Sequence, residues 1–164
     1  MTLKYKLKFF DYWHLSSGLS AGAKLDSTVV KDDNNLPYAS GKTIKGLLRE
    51  MAEEFGDITA MHKAYFSNAT LEKSLKDEIV SNALQDNLYD VIASTKIDDD
   101  GLAVDKSLRE IEVVIPLTLY GEIRDVPNDF EKSLKKSLKL IKRMGLNRNR
   151  GLGRCKFSVY EESK

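Results

Sequence analysis

One cysteine, Cys155, is all the thiol this chain of 164 residues carries, so an internal disulfide is excluded. That usage fits a reducing compartment, and a cytoplasmic location is expected. Long apolar runs are missing as well. Nothing is long enough to span a bilayer, so no membrane partner is expected. The opening residues, MTLKYKLKFF, alternate instead of forming the apolar block of a signal peptide. Histidine is scarce, with only His14 and His62, and a lone loop histidine is more often incidental than catalytic. There is no Walker A loop, no C-x-x-C pair, no H-E-x-x-H and no G-x-S-x-G. Those absences remove P-loop phosphate binding, paired-thiol metal sites, zinc proteolysis and the serine-elbow hydrolases. No internal repeat and no linker divides the chain, so a single domain over 1–164 is expected.

What is present is charge, and it is segregated. Residues 1–50 carry 8 Lys/Arg against 5 Asp/Glu, residues 51–129 carry 7 against 17, and residues 130–164 carry 11 against 3. A net charge of +1 thus conceals two basic ends and an acidic middle. If the ends meet in space they form one basic surface, the footprint expected of a protein that binds a nucleic-acid backbone.

The hydrophobic pattern sets the elements. Leu3, Tyr5, Leu7 and Phe9 alternate with Lys4, Lys6 and Lys8, which predicts a half-buried strand. Residues 14–24 read as a loop. Ile44, Leu47, Leu48, Met51 and Phe55 repeat at helical spacing behind a cap at Ser40 or Gly41. A short strand is expected at 64–66, a helix over 71–88, extended chain over 89–97 and a strand over 111–120. A second amphipathic helix over 129–144 has Phe130, Leu134, Leu138 and Ile141 on one face and lysines on the other. Cys155, Phe157 and Val159 alternate in a last strand, where the cysteine is read as packing. Strand, helix, strand, strand, helix, strand is the order of an α+β, ferredoxin-like (RRM-like) βαββαβ fold.

Three stretches hold candidate chemistry. In the first helix, Lys42, Lys45 and Arg49 fall opposite the apolar stripe, at a helix start that itself attracts anions. The same residues also suit an ordinary solvated face. Between the last helix and strand, MGLNRNRGLGR sets Arg148 and Arg150 beside Gly151 and Gly153. Arginine forks suit phosphate oxygens, and glycine lets backbone approach closely; a helix cap followed by a turn is the alternative. Third, Asp98-Asp99-Asp100-Gly101 has the look of a metal loop but lacks the later ligand positions of a calcium loop.

Two of these stretches also carry a resemblance. Residues 24–50, with D-S-x-V-x-K-D and then P-Y-x-S-G-K-T-x-K-G-L-L-R, resemble the N-terminal signature of the RAMP superfamily of CRISPR-associated proteins. The 145–153 run resembles that family's glycine-rich loop, and residues 95–112 resemble the insertion that forms a thumb-like projection. Within the superfamily, the chain is most similar to the backbone subunit of type III effector complexes in antiviral defence.

The resemblance implies a single RAMP domain with an insertion at about 72–110. It implies CRISPR RNA bound through Lys42, Lys45, Arg49, Arg148, Arg150, Gly151 and Gly153, with target RNA, further copies of the chain and other effector subunits as partners. The 95–109 segment would wedge between base pairs. Asp26 aligns with the aspartate used for metal-dependent cleavage of target RNA, which implies endonuclease chemistry with Mg²⁺ at Asp26. Two readings stay open beside it: a CRISPR RNA-processing endoribonuclease of the same superfamily, using His14 with a lysine, and a non-catalytic structural RNA-binding subunit.

Overall fold

Alternation in the first strand decides the architecture. In β1 (Leu3–Phe9) the side chains of Leu3, Tyr5, Leu7 and Phe9 are buried while Lys6 and Lys8 are exposed. The computed structural model describes residues 1–17, 27–53 and 59–160, with the side chains of 52, 53, 59 and 60 left out. After β1 come α1 (Gly41–Glu53), β2 (Tyr65–Phe66), α2 (Lys73–Ser81), β3 (Tyr89–Ser94), β4 (Arg109–Val114), β5 (Thr118–Arg124), α3 (Glu131–Leu140) and β6 (Cys155–Tyr160).

Four strands form an antiparallel sheet in the order β2-β5-β1-β6. The central strand pairs Leu7 with Leu119 of β5 and with Phe157 of β6, so inward side chains from three strands share one layer. Helices α1 and α3 contact each other, and α3 also contacts β6. Ile44 and Leu48 of α1 and Leu134 and Leu138 of α3 are fully buried. Read without α2, β3 and β4, the chain runs β1-α1-β2-β5-α3-β6, the ferredoxin-like order expected from the sequence. The core continues past β1, where the Phe9 and Trp13 rings stack 4.4 Å apart.

The segment between β2 and β5 departs from the expected elements. The apolar run at 111–120 is not one strand. It splits at Ile115–Leu117 into β4, which pairs with β3 in a two-stranded sheet, and β5, which joins the main sheet. Pro116 explains the break: it has no N–H for a ladder and restricts the residue before it. The helix expected over 71–88 spans only 73–81, followed by a 3₁₀ turn at Gln85–Leu88. Ala83 adopts φ +51° between them. Leu71, Ile79 and Leu88 reach the core, whereas Leu75 and Leu84 remain exposed. The last helix is also shorter than its 129–144 pattern, because Ile141 turns extended at ψ 108°. Its side chain is nonetheless buried beside Phe130, Leu134 and Leu138, as the spacing predicts.

Strands β3 and β4 form a separate two-stranded hairpin registered from Tyr89–Val114 to Ser94–Arg109. Its far end exposes Ile97, Leu102 and Leu108, each more than 60% accessible. The three-aspartate run is the turn of this end rather than a metal loop. One carboxylate oxygen of Asp98 accepts the Asp100 and Leu102 N–H groups at 3.0 and 2.8 Å, and Gly101 supplies φ +81°. Among the described residues no group of three or more His, Cys, Asp or Glu is placed to hold a metal ion. Nor does any described helix have the length and apolarity to cross a membrane.

Candidate nucleic-acid interface

Helix α1 begins as its sequence suggests. Ser40 Oγ accepts the Lys42 N–H at 3.2 Å, which satisfies one of the free donors of the first turn. The Gly41 N–H is taken by Asn68 Oδ1 at 3.0 Å. Gly41 is required by packing, since a Cβ there would collide with the Phe66 carbonyl. Lys42 and Arg49 are exposed. At 3.6 residues per turn they lie about 20° apart around the helix. Lys45 differs from them: its Nζ donates to the Ala64 carbonyl at 3.1 Å and sits 5.6 Å from the centre of the Phe66 ring. The expected row of three outward cations is therefore two outward cations and one that ties the helix to β2.

The glycine loop lies against the other flank of the same helix. Leu146 N–H donates to the His14 carbonyl and Gly153 N–H to the Tyr12 carbonyl, so the loop is stitched to the chain that follows β1. Gly145 and Gly153 have φ of +91° and +72°, and a Cβ at either would strike backbone, at His14 and Met144 respectively. Packing thus accounts for Gly153. Gly151 has φ +95° but open space around it, so its backbone is the one free to be approached. Arg148 reaches Glu50 of α1 at 3.8 Å, and its carbonyl accepts from Arg143. Arg150 is exposed. A groove of about 310 Å³ lies between Leu47 and Met51 on the apolar side of α1 and Ile141–Arg143, Arg148 and Asn149.

His14 is not the loop bystander that its sequence context suggests. It is fully buried, with Nδ1 against the Glu112 carbonyl and Nε2 3.0 Å from Ser27 Oγ. Glu112, also buried, accepts the Val29 N–H at 3.1 Å and Lys31 Nζ at 2.9 Å. Lys31 Nζ lies 4.1 Å from the centre of the Tyr89 ring. Burial, and then the carboxylates of Glu112, Asp32 and Asp86, raise the Tyr89 phenol well above its ordinary value. Residues 27–31 are thereby locked to the base of the β3–β4 hairpin. Nothing in the residue order marks this network, because its members lie up to 98 residues apart. With both ring nitrogens engaged and no solvent access, His14 is not placed to exchange a proton with an RNA. Asp26, the expected catalytic and metal-binding residue, lies outside the described residues. So does Phe55 of the apolar stripe.

Comparison with known proteins agrees with this architecture. Among solved structures, the chain is similar to a chain of the type III-B Cmr-beta complex in its apo state, with a TM-score of 0.77, 11% identity, and 99% and 98% of the two chains covered. A chain of Cmr-beta bound to cognate target RNA gives 0.72 and 11%, with 97% of each chain covered. At that identity the likeness speaks for the fold. No curated protein matches by sequence. The model of the RAMP superfamily matches residues 6–156, nearly the whole chain from β1 into β6, and the protein belongs to that superfamily.

Proposed function

We propose that this protein is an RNA-binding backbone subunit of a type III CRISPR effector complex, holding CRISPR RNA by its phosphates. The observation that carries this reading is the meeting of two cation-bearing motifs at one helix. Lys42 and Arg49 are exposed on α1, and the 145–153 loop packs on the same helix through Arg148 and Glu50. Contacts of this kind position an RNA without reading its sequence, which suits a protein that must accept any guide. The hairpin tip supports the same reading. Ile97, Leu102 and Leu108 offer exposed apolar side chains, as a wedge between base pairs requires.

Partners under this reading are CRISPR RNA, target RNA, further copies of the chain and other effector subunits. Cleavage of target RNA is assigned to Asp26 with Mg²⁺. When bound, the ion would stabilise charge on the scissile phosphate and favour a nucleophilic oxygen. This chain's part is a carboxylate at Asp26, one residue before the anchored Ser27. Purifying the protein with its bound nucleic acid and sequencing that nucleic acid tests the main proposal. Repeat-derived RNA of uniform 5′ sequence is expected, and random cellular RNA or none would overturn it. Asp26→Asn should keep guide and target binding and lose Mg²⁺-dependent cutting; cleavage at the wild-type rate would remove Asp26 from catalysis.

A further inference from the structure

Phe10 follows β1 on the outward phase of its alternation, where the preceding outward positions hold lysines. Phe9 enters the core against Trp13, and the next ring points outward, 40% exposed. Two cations flank it: Lys8 Nζ lies 5.3 Å and Arg154 Cζ 5.4 Å from its centre. The ring forms one wall of an open cavity of about 550 Å³, whose other lining residues are Lys142, Arg143, Arg154, Cys155 and Lys156. Backbone pairing holds this set together, since Arg143 bridges Arg154 and the Cys155 N–H donates to the Lys142 carbonyl.

The chemistry of the lining is selective. Four of its six residues are cations, and none is acidic. Among the described residues only Arg154 of those four meets a carboxylate, that of Asp11 at 3.2 Å. Cys155 is buried, and desolvation raises its thiol to about 12 against a smaller opposing effect of Lys142, so the surface it contributes is neutral at physiological pH. An exposed aromatic ring with cations over it suits a planar π system joined to an anion. A nucleobase and its phosphate are such a pair.

We propose that this cavity is a nucleotide subsite for single-stranded RNA, in which one base stacks on Phe10 and the adjoining phosphates are held by Lys142, Arg143 and Lys156. The inference rests on the RNA-binding reading above and deepens it by adding a base contact to the phosphate contacts of the basic body. Continuity supports it. Lys142 and Arg143 line both this cavity and the groove beside α1 that Arg148 also lines, so a strand lying along Arg148 passes these cations on its way to Phe10. Stacking accepts any base, so the subsite preserves indifference to guide sequence.

The test compares wild type, Phe10→Ala and Phe10→Trp for binding of a fluorescein-labelled single-stranded RNA and of an abasic RNA of equal length. On the ordinary RNA, Phe10→Ala should weaken binding by about 5- to 150-fold, the range for one lost base–aromatic stack, and Phe10→Trp should restore it. On the abasic RNA the three proteins should bind alike. Unchanged affinity of Phe10→Ala for ordinary RNA would overturn the subsite and leave the RNA-binding reading standing. An equal loss on both RNAs would overturn stacking in favour of an effect on the cations. No RNA binding by wild type would overturn both readings. Independently of any variant, 4-thiouridine RNA irradiated on wild-type protein should crosslink within the peptides bearing Phe10 or Arg154; adducts confined to other peptides would overturn the assignment.

Discussion

At the scale of single residues, side chains of one type divide by what they touch. Lys42 and Arg49 face solvent, whereas Lys45 is spent on the Ala64 carbonyl. Replacing Lys42 and Arg49 with Ala should therefore lower RNA affinity for all sequences alike and reduce the log–log salt slope by roughly 0.7 per lost phosphate contact. Lys45→Ala should leave that slope unchanged; titrations over a range of salt distinguish the two, and equal slopes for wild type and the double variant would mean a merely solvated face. The loop glycines divide in the same way. Gly153→Ala forces a Cβ onto the Met144 carbonyl at φ +72° and should lower Tm clearly. Gly151→Ala meets only the strain of φ +95°, about 1 kcal/mol, so its melting should shift less. Tyr5 gives the sharpest case. Its hydroxyl is buried without a hydrogen-bond partner among the described residues, and burial raises its pKa above the ordinary 10.0. A proton held more tightly in the folded state means stability that is whole below pH 10 and falls as pH climbs beyond it. The Cys155 thiol adds a loss that starts near 9.0 and continues toward 12. Tyr5→Phe should be neutral or stabilising by about 1 kcal/mol at pH 7 and should lose less stability above pH 10, as urea melts at both pH values would show. A marked destabilisation at pH 7 would mean that the hydroxyl has a partner after all.

At the scale of elements, the hairpin β3–β4 is the part that owes most to distant contacts. Glu112 of β4 takes the Val29 N–H and Lys31, and Lys31 covers Tyr89 of β3. Glu112→Ala would leave a partly buried ammonium and an N–H without their acceptor. A loss of about 2–3 kcal/mol is expected, at or below the range for breaking a buried pair. Because both residues serve one network, Glu112→Ala and Lys31→Met should combine non-additively, and strict additivity in thermal melts would refute the coupling. The sequence could not show this, because its residues are local to nothing but the folded chain. What it did show came from short-range repetition. Leu3-Tyr5-Leu7-Phe9 read directly as β1, and Ser40 with Ile44-Leu47-Leu48 read directly as a capped α1. The apolar run 111–120 misled because composition is blind to which sheet a strand joins, and the one warning, Pro116, was outweighed by its neighbours. The cation rows were legible as rows, but not the turning inward of Lys45. Phe10 was hidden by lying beside Phe9, since alternation reveals a lone outward ring only once the inward one is fixed.

At the scale of the whole molecule, the segregation of charge along the sequence becomes a segregation in space. The basic ends supply β1, α1, α3 and β6, which are packed together in one sheet-and-helix layer, while much of the acidic middle supplies α2 and the β3–β4 hairpin. Two unlike surfaces on one molecule favour a contact in which the hairpin of one copy meets the basic body of the next. Such a contact is heterologous and does not close on itself, so copies add in a row rather than stop at two. An RNA laid across Lys42, Arg49 and the 145–153 loop would fix the direction of the row, and its length would limit the number of copies. Light scattering should therefore show particles whose mass rises with the length of the added RNA. Raising the salt should shrink them, because both the copy-to-copy and the RNA contacts are between exposed charges that ions screen within about 8–10 Å. Exchanging Ile97, Leu102 and Leu108 for Ser should leave the fold intact, since these side chains are already in solvent. If the tip meets a neighbouring copy or a duplex, however, the same exchange should shorten the row on a long RNA or change the spacing of target cuts. A discrete closed dimer of constant mass, with and without RNA, would rule out the open row and would assign the charge segregation to solubility alone.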